Sequence, residues 1–124
     1  AKAGSKVVSK TVQVAKNYKN GMAYEKLGQQ VVGAVKNTTS YLINTRTRIP
    51  DTEPFLHKGV QYLGEFKKVE YQRLTTQITD HIDLARSMGV RAALLVPGSA
   101  TLAKKLLRAE HEGIITIFRD FKLN

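Results

Sequence analysis

The chain has 124 residues, no cysteine and a formal net charge of +10 at pH 7, and 42% of its residues are hydrophobic. This length suits one domain with a single core, and the missing cysteine excludes disulfides and zinc–thiolate clusters. The apolar content excludes a disordered basic tail, and the positive charge favours a polyanionic partner, with nucleic acid ahead of a membrane surface or an acidic protein.

The first twenty residues are predicted to be a basic helix and entry region. Apolar residues recur at helical spacing over residues 5–18, and Asn20-Gly21 would end the helix. The lysines lie mostly off the apolar stripe: Lys6, Lys10, Lys16 and Lys19. The chain begins at Ala1 without an initiator Met, so we expect a fragment or processed product of a longer protein. No apolar run approaches the roughly 20 residues that span a bilayer.

The next two predicted elements each lead to an acidic residue. Helical spacing of apolar residues predicts a second helix over residues 22–35, which carries Glu25. Residues 41–49 are rich in Thr, Ile and Tyr, as is typical of a strand. Pro50 would end that strand because it has no N–H to donate, and Asp51 follows directly.

A turn containing Pro54 and Gly59 is predicted to lead into a strand over residues 60–69. Side chains alternate between the two faces of a strand, so Glu65 and Lys67 should point the same way. The remaining predicted elements are a helix from residue 74 to Met88-Gly89, a buried strand over 92–96, a helix capped by Ser99 or Thr101 and ending near residue 110, and a strand over 114–118. This order predicts one α/β domain.

Acidic residues are scarce in the first half of the chain, and their positions suit the binding of a metal ion. Glu25 is the only acid in the first fifty positions, which hold nine lysines and arginines. Hard cations prefer carboxylate oxygen, so Asp51 and Glu65 on neighbouring strands, with Glu25 from the helix above, would hold Mg²⁺, with Mn²⁺ or Zn²⁺ as alternatives. Lys67 beside the metal would orient an attacking water or stabilise the transition state of phosphodiester hydrolysis.

Two sets of residues match a known family. Arg-Ile-Pro-Asp at positions 48–51, fourteen residues before Glu65-Phe66-Lys67, resembles the PD-(D/E)xK signature of the restriction-endonuclease-like superfamily. The segments LGEFKKV (63–69), TTQITD (75–80), LLVPG (94–98) and TLAKKL (101–106) resemble the restriction-endonuclease-fold toxin domains at the C-terminal tips of bacterial polymorphic toxins, including contact-dependent growth inhibition proteins. The resemblance extends over residues 24–118.

The resemblance implies a nuclease domain over residues 21–124, with an αβββαβ core and a mixed central sheet flanked by helices. It implies a divalent metal held by Asp51 and Glu65, a catalytic Lys67, an upstream Glu25, and Gln77 in the active site. It also implies a cognate immunity protein, which we expect to be acidic because the chain is strongly basic. The domain would be the C-terminal part of a secreted or cell-surface toxin that acts in the cytoplasm of the target cell.

Structural roles remain open for all five candidate residues. The alternative for Asp51 is a turn position only. Glu65 and Lys67 are alternatively a solvated pair on an edge strand. The alternative for Glu25 and Gln77 is a position on a helix surface. The histidines lack paired metal-ligand spacing and are interpreted as structural or surface residues: His57, His81 and His111. Two further acids are interpreted as salt-bridge partners: Glu53 and Glu70.

Basic residues outside the candidate active site are predicted to contact nucleic acid, with a solvated surface as the alternative. They are Lys6, Lys10, Lys16, Lys19, Arg46, Arg48, Lys68, Lys104 and Lys105. The function that the sequence favours is an endonuclease toxin acting on tRNA, which many such toxins target, with DNA close behind. A Holliday-junction-resolving nuclease and a non-catalytic basic nucleic-acid-binding module are the other hypotheses.

Overall fold

The computed structural model describes residues 21–123. The predicted helix over residues 5–18, with Lys6, Lys10, Lys16 and Lys19, lies outside the described residues. The described helices are α1 (Gly21–Val32), α2 (Thr76–Ser87) and α3 (Lys104–His111). The strands are β1 (Tyr41–Ile43), β2 (Arg46–Arg48), β3 (Phe55–His57), β4 (Val60–Phe66), β5 (Tyr71–Gln72), β6 (Arg91–Val96), β7 (Thr101–Leu102), β8 (Thr116–Arg119) and β9 (Lys122–Leu123).

A five-stranded mixed sheet forms the centre of the fold, in the order β3-β4-β6-β8-β9. The strands β4, β6 and β8 run parallel, and β3 and β9 join the two edges in antiparallel pairing. The central position of β6 follows from its sequence, because residues 92–96 are all apolar and all buried. Two-stranded pairs β1-β2 and β5-β7 lie outside this sheet.

Helices cover both faces of the sheet, and side-chain alternation along β6 divides the core between them. Leu94 and Val96 pack with residues of α2 and α3, such as Ile78 and Leu106. Ala93 and Leu95 belong to the opposite cluster, which includes Tyr24 of α1. The α/β class and the mixed sheet flanked by helices are therefore confirmed.

Local boundaries differ from the sequence-based prediction in two places that border the site. The predicted strand over residues 41–49 is a hairpin, because Asn44 and Thr45 adopt left-handed backbone angles (φ 50° and 65°) and reverse the chain between β1 and β2. The predicted turn before residue 60 contains β3. Lys58 and Gly59, with φ of 50° and 82°, join it to β4 in a two-residue hairpin turn.

Two further predictions are corrected by the described strands and helices. Thr101, predicted as a helix cap, lies instead in β7, which pairs in parallel with β5. The N-cap of α3 is Ala103, which makes no side-chain capping hydrogen bond. The predicted strand over 60–69 ends at Phe66, although the Lys67 amide still donates to the Leu95 carbonyl oxygen (2.9 Å).

Candidate active site

Glu65 lies near the carboxyl end of β4 and is only 4% exposed. Strand alternation turns its side chain to the face that α2 covers, as it does for Leu63. There the carboxylate accepts two hydrogen bonds, one from Gln77 Nε2 (2.9 Å) and one from the Asp51 amide (3.3 Å). Burial of a carboxylate is costly unless hydrogen bonds compensate for the lost water. Both donors, Gln77 and Asp51, belong to the predicted site.

Asp51 is held against β4 by the loop that contains it. The Thr52 amide donates to the Gly64 carbonyl oxygen (3.2 Å), and the Gly64 amide donates to Thr52 Oγ1 (2.8 Å). Glycine at position 64 suits this close approach, since a Cβ there would lie 3.0 Å from Thr52 Cγ2 and would make Thr52 shift by a few tenths of an ångström. The Phe66 amide then donates to Asp51 Oδ2 (2.7 Å), which places the aspartate beside the end of the strand.

Gln77 connects Lys67 to Glu65. Lys67 Nζ donates to Gln77 Oε1 (2.7 Å), while the amide nitrogen of Gln77 donates to Glu65 Oε2. Gln77 is in the first turn of α2, which begins after Thr75, whose Oγ1 accepts a hydrogen bond from the Ile78 amide. The amide bridge holds the ammonium and the carboxylate 4.0 Å apart, so the two charges are adjacent without a direct hydrogen bond.

Glu25 approaches the cluster from α1, on the other side of Asp51. Gln29, one turn later on the same helix, donates from Nε2 to Glu25 Oε1 (3.2 Å) and to the Asp51 carbonyl oxygen (3.5 Å). The helix can come this close because Gly28 faces β4, where an added Cβ would lie 2.2 Å from a ring carbon of Phe66. A glycine and a glutamine therefore position Glu25.

Burial raises the pKa of all three carboxyl groups, and the charge of Asp51 adds to the rise at Glu65 and Glu25. Burial first and Asp51 second raise the pKa of Glu65 to about 8, and burial raises the pKa of Asp51. The pKa of Glu25 is raised by burial and then by Asp51. Lys67 opposes the shifts of Asp51 and Glu65, and Lys36 those of Asp51 and Glu25. Glu65 thus retains its proton near neutral pH because positive charge at the site is insufficient, and a divalent cation would supply that charge.

Comparison with known protein families identifies the family of this chain. A model of the restriction endonuclease fold toxin 7 family matches residues 21–106, well over half of the chain. The chain belongs to that family. No curated protein and no solved structure matches it. The resemblance of the sequence to a restriction-endonuclease-like toxin domain is therefore confirmed, and the matched range contains every residue of the cluster.

The donor atoms of this toxin domain can be tested against a metal ion. Within residues 21–123, no group of three or more His, Cys, Asp or Glu side chains is assembled to hold one. Asp51 and Glu65 are nevertheless adjacent, since the Asp51 backbone amide donates to Glu65 Oε1 (3.3 Å) and each carboxyl group affects the pKa of the other. Mg²⁺ commonly takes one or two carboxylates and completes its shell with water and phosphate oxygens, so this pair fits Mg²⁺. It fits Zn²⁺ less well, since Zn²⁺ prefers nitrogen and sulfur ligands.

The predicted basic residues of the toxin domain occupy different settings. Arg46 and Arg48 both donate to Asp80 of α2 (2.7 and 2.8 Å), whereas Lys104 and Lys105 are exposed on α3 and Lys68 is half-buried after β4. Their contact with nucleic acid stays a prediction. In the described range, no helix is long and apolar enough to cross a membrane.

His81 is another titratable residue near the cluster. His81 is buried with Nε2 2.8 Å from the Leu63 carbonyl oxygen, and burial lowers its pKa to about 4, so the ring is neutral at physiological pH. This agrees with its interpretation as a structural residue. The interpretation of Glu53 and Glu70 as salt-bridge partners is not met, because neither forms an ion pair among residues 21–123, and both are exposed.

Sequence reasoning missed several residues that assemble the site. Gln29 orients Glu25, and Lys36 lies near enough to lower the pKa of Asp51. The Asn37 side chain donates from Nδ2 to the Pro50 carbonyl oxygen (2.9 Å), and the Asn37 backbone amide donates to the Asp51 carbonyl oxygen (3.1 Å). Only Gln29 carries a detectable signal, because a position four residues after Glu25 on a helix shares its face.

Proposed function

We propose that this toxin domain is a metal-dependent endonuclease that hydrolyses phosphodiester bonds in the nucleic acid of a target bacterium. The observation that carries the proposal is the convergence of Asp51, Glu65 and Lys67 from a loop and a strand end. Glu65 is buried and Asp51 is half-buried, both have raised pKa values, and the ammonium lies 4.0 Å from the Glu65 carboxylate. Perturbed carboxyl groups beside a cation are typical of a catalytic site.

Each residue has a distinct role in this proposal. Asp51 and Glu65 would hold Mg²⁺, which when bound supplies Lewis acidity and lowers the pKa of water. Lys67 offsets the negative charge that develops on the phosphoryl oxygens, and it can do so without rearrangement because Gln77 already holds it. Glu25 would accept a proton or a hydrogen bond from water near Asp51, as its pairing with Gln29 beside the Asp51 carbonyl oxygen supports.

The proposed substrate is RNA, and tRNA in particular. DNA is the second choice. The net charge of +10 supports a polyanion of either kind, because basic side chains that neutralise phosphates release counterions. Carboxylates and a lysine that act on a phosphate do not distinguish RNA from DNA, since both share the phosphodiester. The choice of RNA therefore rests on the similarity to toxin domains that act on tRNA.

We further propose that the domain is the C-terminal part of a secreted or cell-surface toxin, acts in the cytoplasm of the target cell, and is neutralised by an acidic immunity protein. A chain with a formal net charge of +10 offers an acidic protein a complementary surface, and electrostatic steering between opposite charges speeds association. Such a protein would cover the substrate-binding surface or the cluster at Asp51, Glu65 and Lys67.

One experiment tests the substrate and the partner together. Purified domain is incubated with total RNA and with plasmid DNA, each in Mg²⁺ and in excess EDTA, and the products are resolved on gels. The proposal predicts cleavage of RNA in Mg²⁺, with loss of small RNAs first, and suppression by the product of the neighbouring gene. Cleavage of plasmid alone would assign the DNA alternative, and cleavage of neither would leave a non-catalytic binding module.

A further inference from the structure

The β1-β2 hairpin is fastened to α2 by one buried carboxylate. Asp80 is fully buried and accepts four hydrogen bonds from the hairpin: from Arg46 Nε (2.7 Å), Arg46 Nη2 (2.8 Å), Arg48 Nε (2.8 Å) and Asn44 Nδ2 (3.0 Å). The Arg46 contact leads the causes that keep the pKa of Asp80 well below its usual range, so the carboxylate stays ionised. Hydrogen bonds of this charge-assisted kind fix the guanidinium planes.

The two arginines use Asp80 differently. Arg46 binds both carboxylate oxygens with Nε and Nη2, and so already forms the two-point pair that satisfies a buried aspartate. Arg48 donates only from Nε. Across residues 21–123, its two terminal nitrogens donate no hydrogen bond to the protein. Asp80 thus orients the Arg48 guanidinium while its outer edge stays available.

Arg48 also lines a pocket at the candidate active site. This small pocket has a volume of about 20 Å³ and is lined by Arg48 together with Glu65, Gln77 and His81. The Arg48 side chain is 28% exposed, and is thus neither solvated like a surface arginine nor sealed in the core. An arginine with a fixed plane and available terminal N–H groups at a catalytic pocket matches the two oxygens of a phosphate.

We propose that Arg48 binds a non-bridging phosphate oxygen of the nucleic acid strand in the active site, with Asp80 holding it in position. This inference rests on the proposed function and adds a substrate-contacting residue to it. Its physical basis is preorganisation: the guanidinium is oriented before substrate arrives, so little side-chain entropy is lost on binding. The alternative role for Arg48 is only to fasten the hairpin to α2.

The test compares Arg48→Gln and Arg48→Lys with Arg119→Gln. Arg119 is a matched control because its side chain is 27% exposed and both of its terminal nitrogens are already paired with Glu110. Each change is made in the active domain and in an Asp51→Asn background that does not cleave. Binding of a labelled RNA hairpin and a DNA duplex is measured against salt concentration, and cleavage gives kcat and KM.

A phosphate contact predicts that Arg48→Gln lowers the magnitude of the log K against log[salt] slope by about 0.7–0.9, whereas Arg119→Gln leaves it unchanged. Cleavage should fall by about a hundredfold, as for loss of one preorganised donor, and Arg48→Lys should restore the slope but only part of the rate. Arg48→Lys retains a cation for Asp80, so it also separates loss of contact from loss of folding.

An unchanged slope and rate in Arg48→Gln, with only a lower unfolding temperature, would overturn the proposal and leave the fastening role. If the wild-type domain cleaves neither nucleic acid yet the slope still falls in Arg48→Gln, the phosphate contact stands and the nuclease proposal fails. Absence of any binding by the wild-type domain overturns both.

Discussion

At the scale of single residues, Glu65 couples the site to the stability of the fold. Its pKa rises from an ordinary 4.5 to about 8 in the folded domain, through burial and then Asp51. Between those two values the folded state binds more protons than the unfolded state, so stability falls as pH rises. The stability that protonated Glu65 contributes to the folded state is fully present below about pH 4.5, and it is lost as the pH rises past about 8.

We therefore predict that Glu65→Gln unfolds at a higher temperature than the wild-type domain at pH 8 without metal, by roughly 5 °C. Near pH 5 the difference should shrink, because the wild-type carboxyl is then protonated. Mg²⁺ should raise the unfolding temperature of the wild-type domain at pH 8 and have little effect on the variant. Thermal unfolding followed by circular dichroism measures all three.

Glu70→Gln is the control for this prediction, because it also removes one negative charge but from an exposed position. It should leave the pH dependence as in the wild-type domain. Equal pH profiles for Glu65→Gln and the wild-type domain would show that the buried carboxyl does not titrate near pH 8, and that its pKa is not raised by folding.

At the scale of secondary-structure elements, the close packing of α1 on β4 determines where Glu25 lies. Gly28→Val would place side-chain atoms where a Cβ alone is already 2.2 Å from Phe66 and 2.7 Å from Phe121. We predict a loss of about 1–3 kcal/mol of unfolding free energy from overpacking, with a fall in nuclease activity as α1 moves. Urea unfolding and the cleavage assay measure the two effects.

The matched control is Gly21→Ala in the same helix, where an added Cβ meets no atom of residues 21–123 within 4 Å. Its stability should equal or slightly exceed that of the wild-type domain, because alanine favours helix over glycine. Wild-type stability and activity in Gly28→Val would mean that α1 is not held by this contact.

The β1-β2 hairpin shows why some elements escape prediction from sequence. Its turn residues, Asn44 and Thr45, include no glycine, and a β-branched threonine at φ 65° is unfavourable in isolation. The conformation is supported from far along the chain, since Asn44 Nδ2 donates to Asp80 and to Asp83 of α2. Local propensity therefore favours one continuous strand, whereas a tertiary contact selects the turn.

At the scale of the whole molecule, features with a short-range signal were predictable. The uninterrupted apolar run at 92–96 indicated a central strand, and the spacing from Asp51 to Glu65 and Lys67 indicated one site. The contributions of Asn37 and Asp80 were not predictable, because each acts through a hydrogen bond to a residue at least 13 positions away. A single sequence carries no signal for such pairs.

We propose that Asp51, Glu65 and Lys67 form one metal-dependent catalytic unit. The most direct measurement is the single-turnover cleavage rate, in Mg²⁺ and in EDTA, of the wild-type domain, Asp51→Asn and Lys67→Met. Glu53→Gln is the control, an exposed acid two residues after Asp51. We predict cleavage that EDTA stops and Mg²⁺ restores, at least about a hundredfold loss in the first two variants, and the wild-type rate in the control. Undiminished cleavage in EDTA, or by folded Asp51→Asn and Lys67→Met, would contradict the claim.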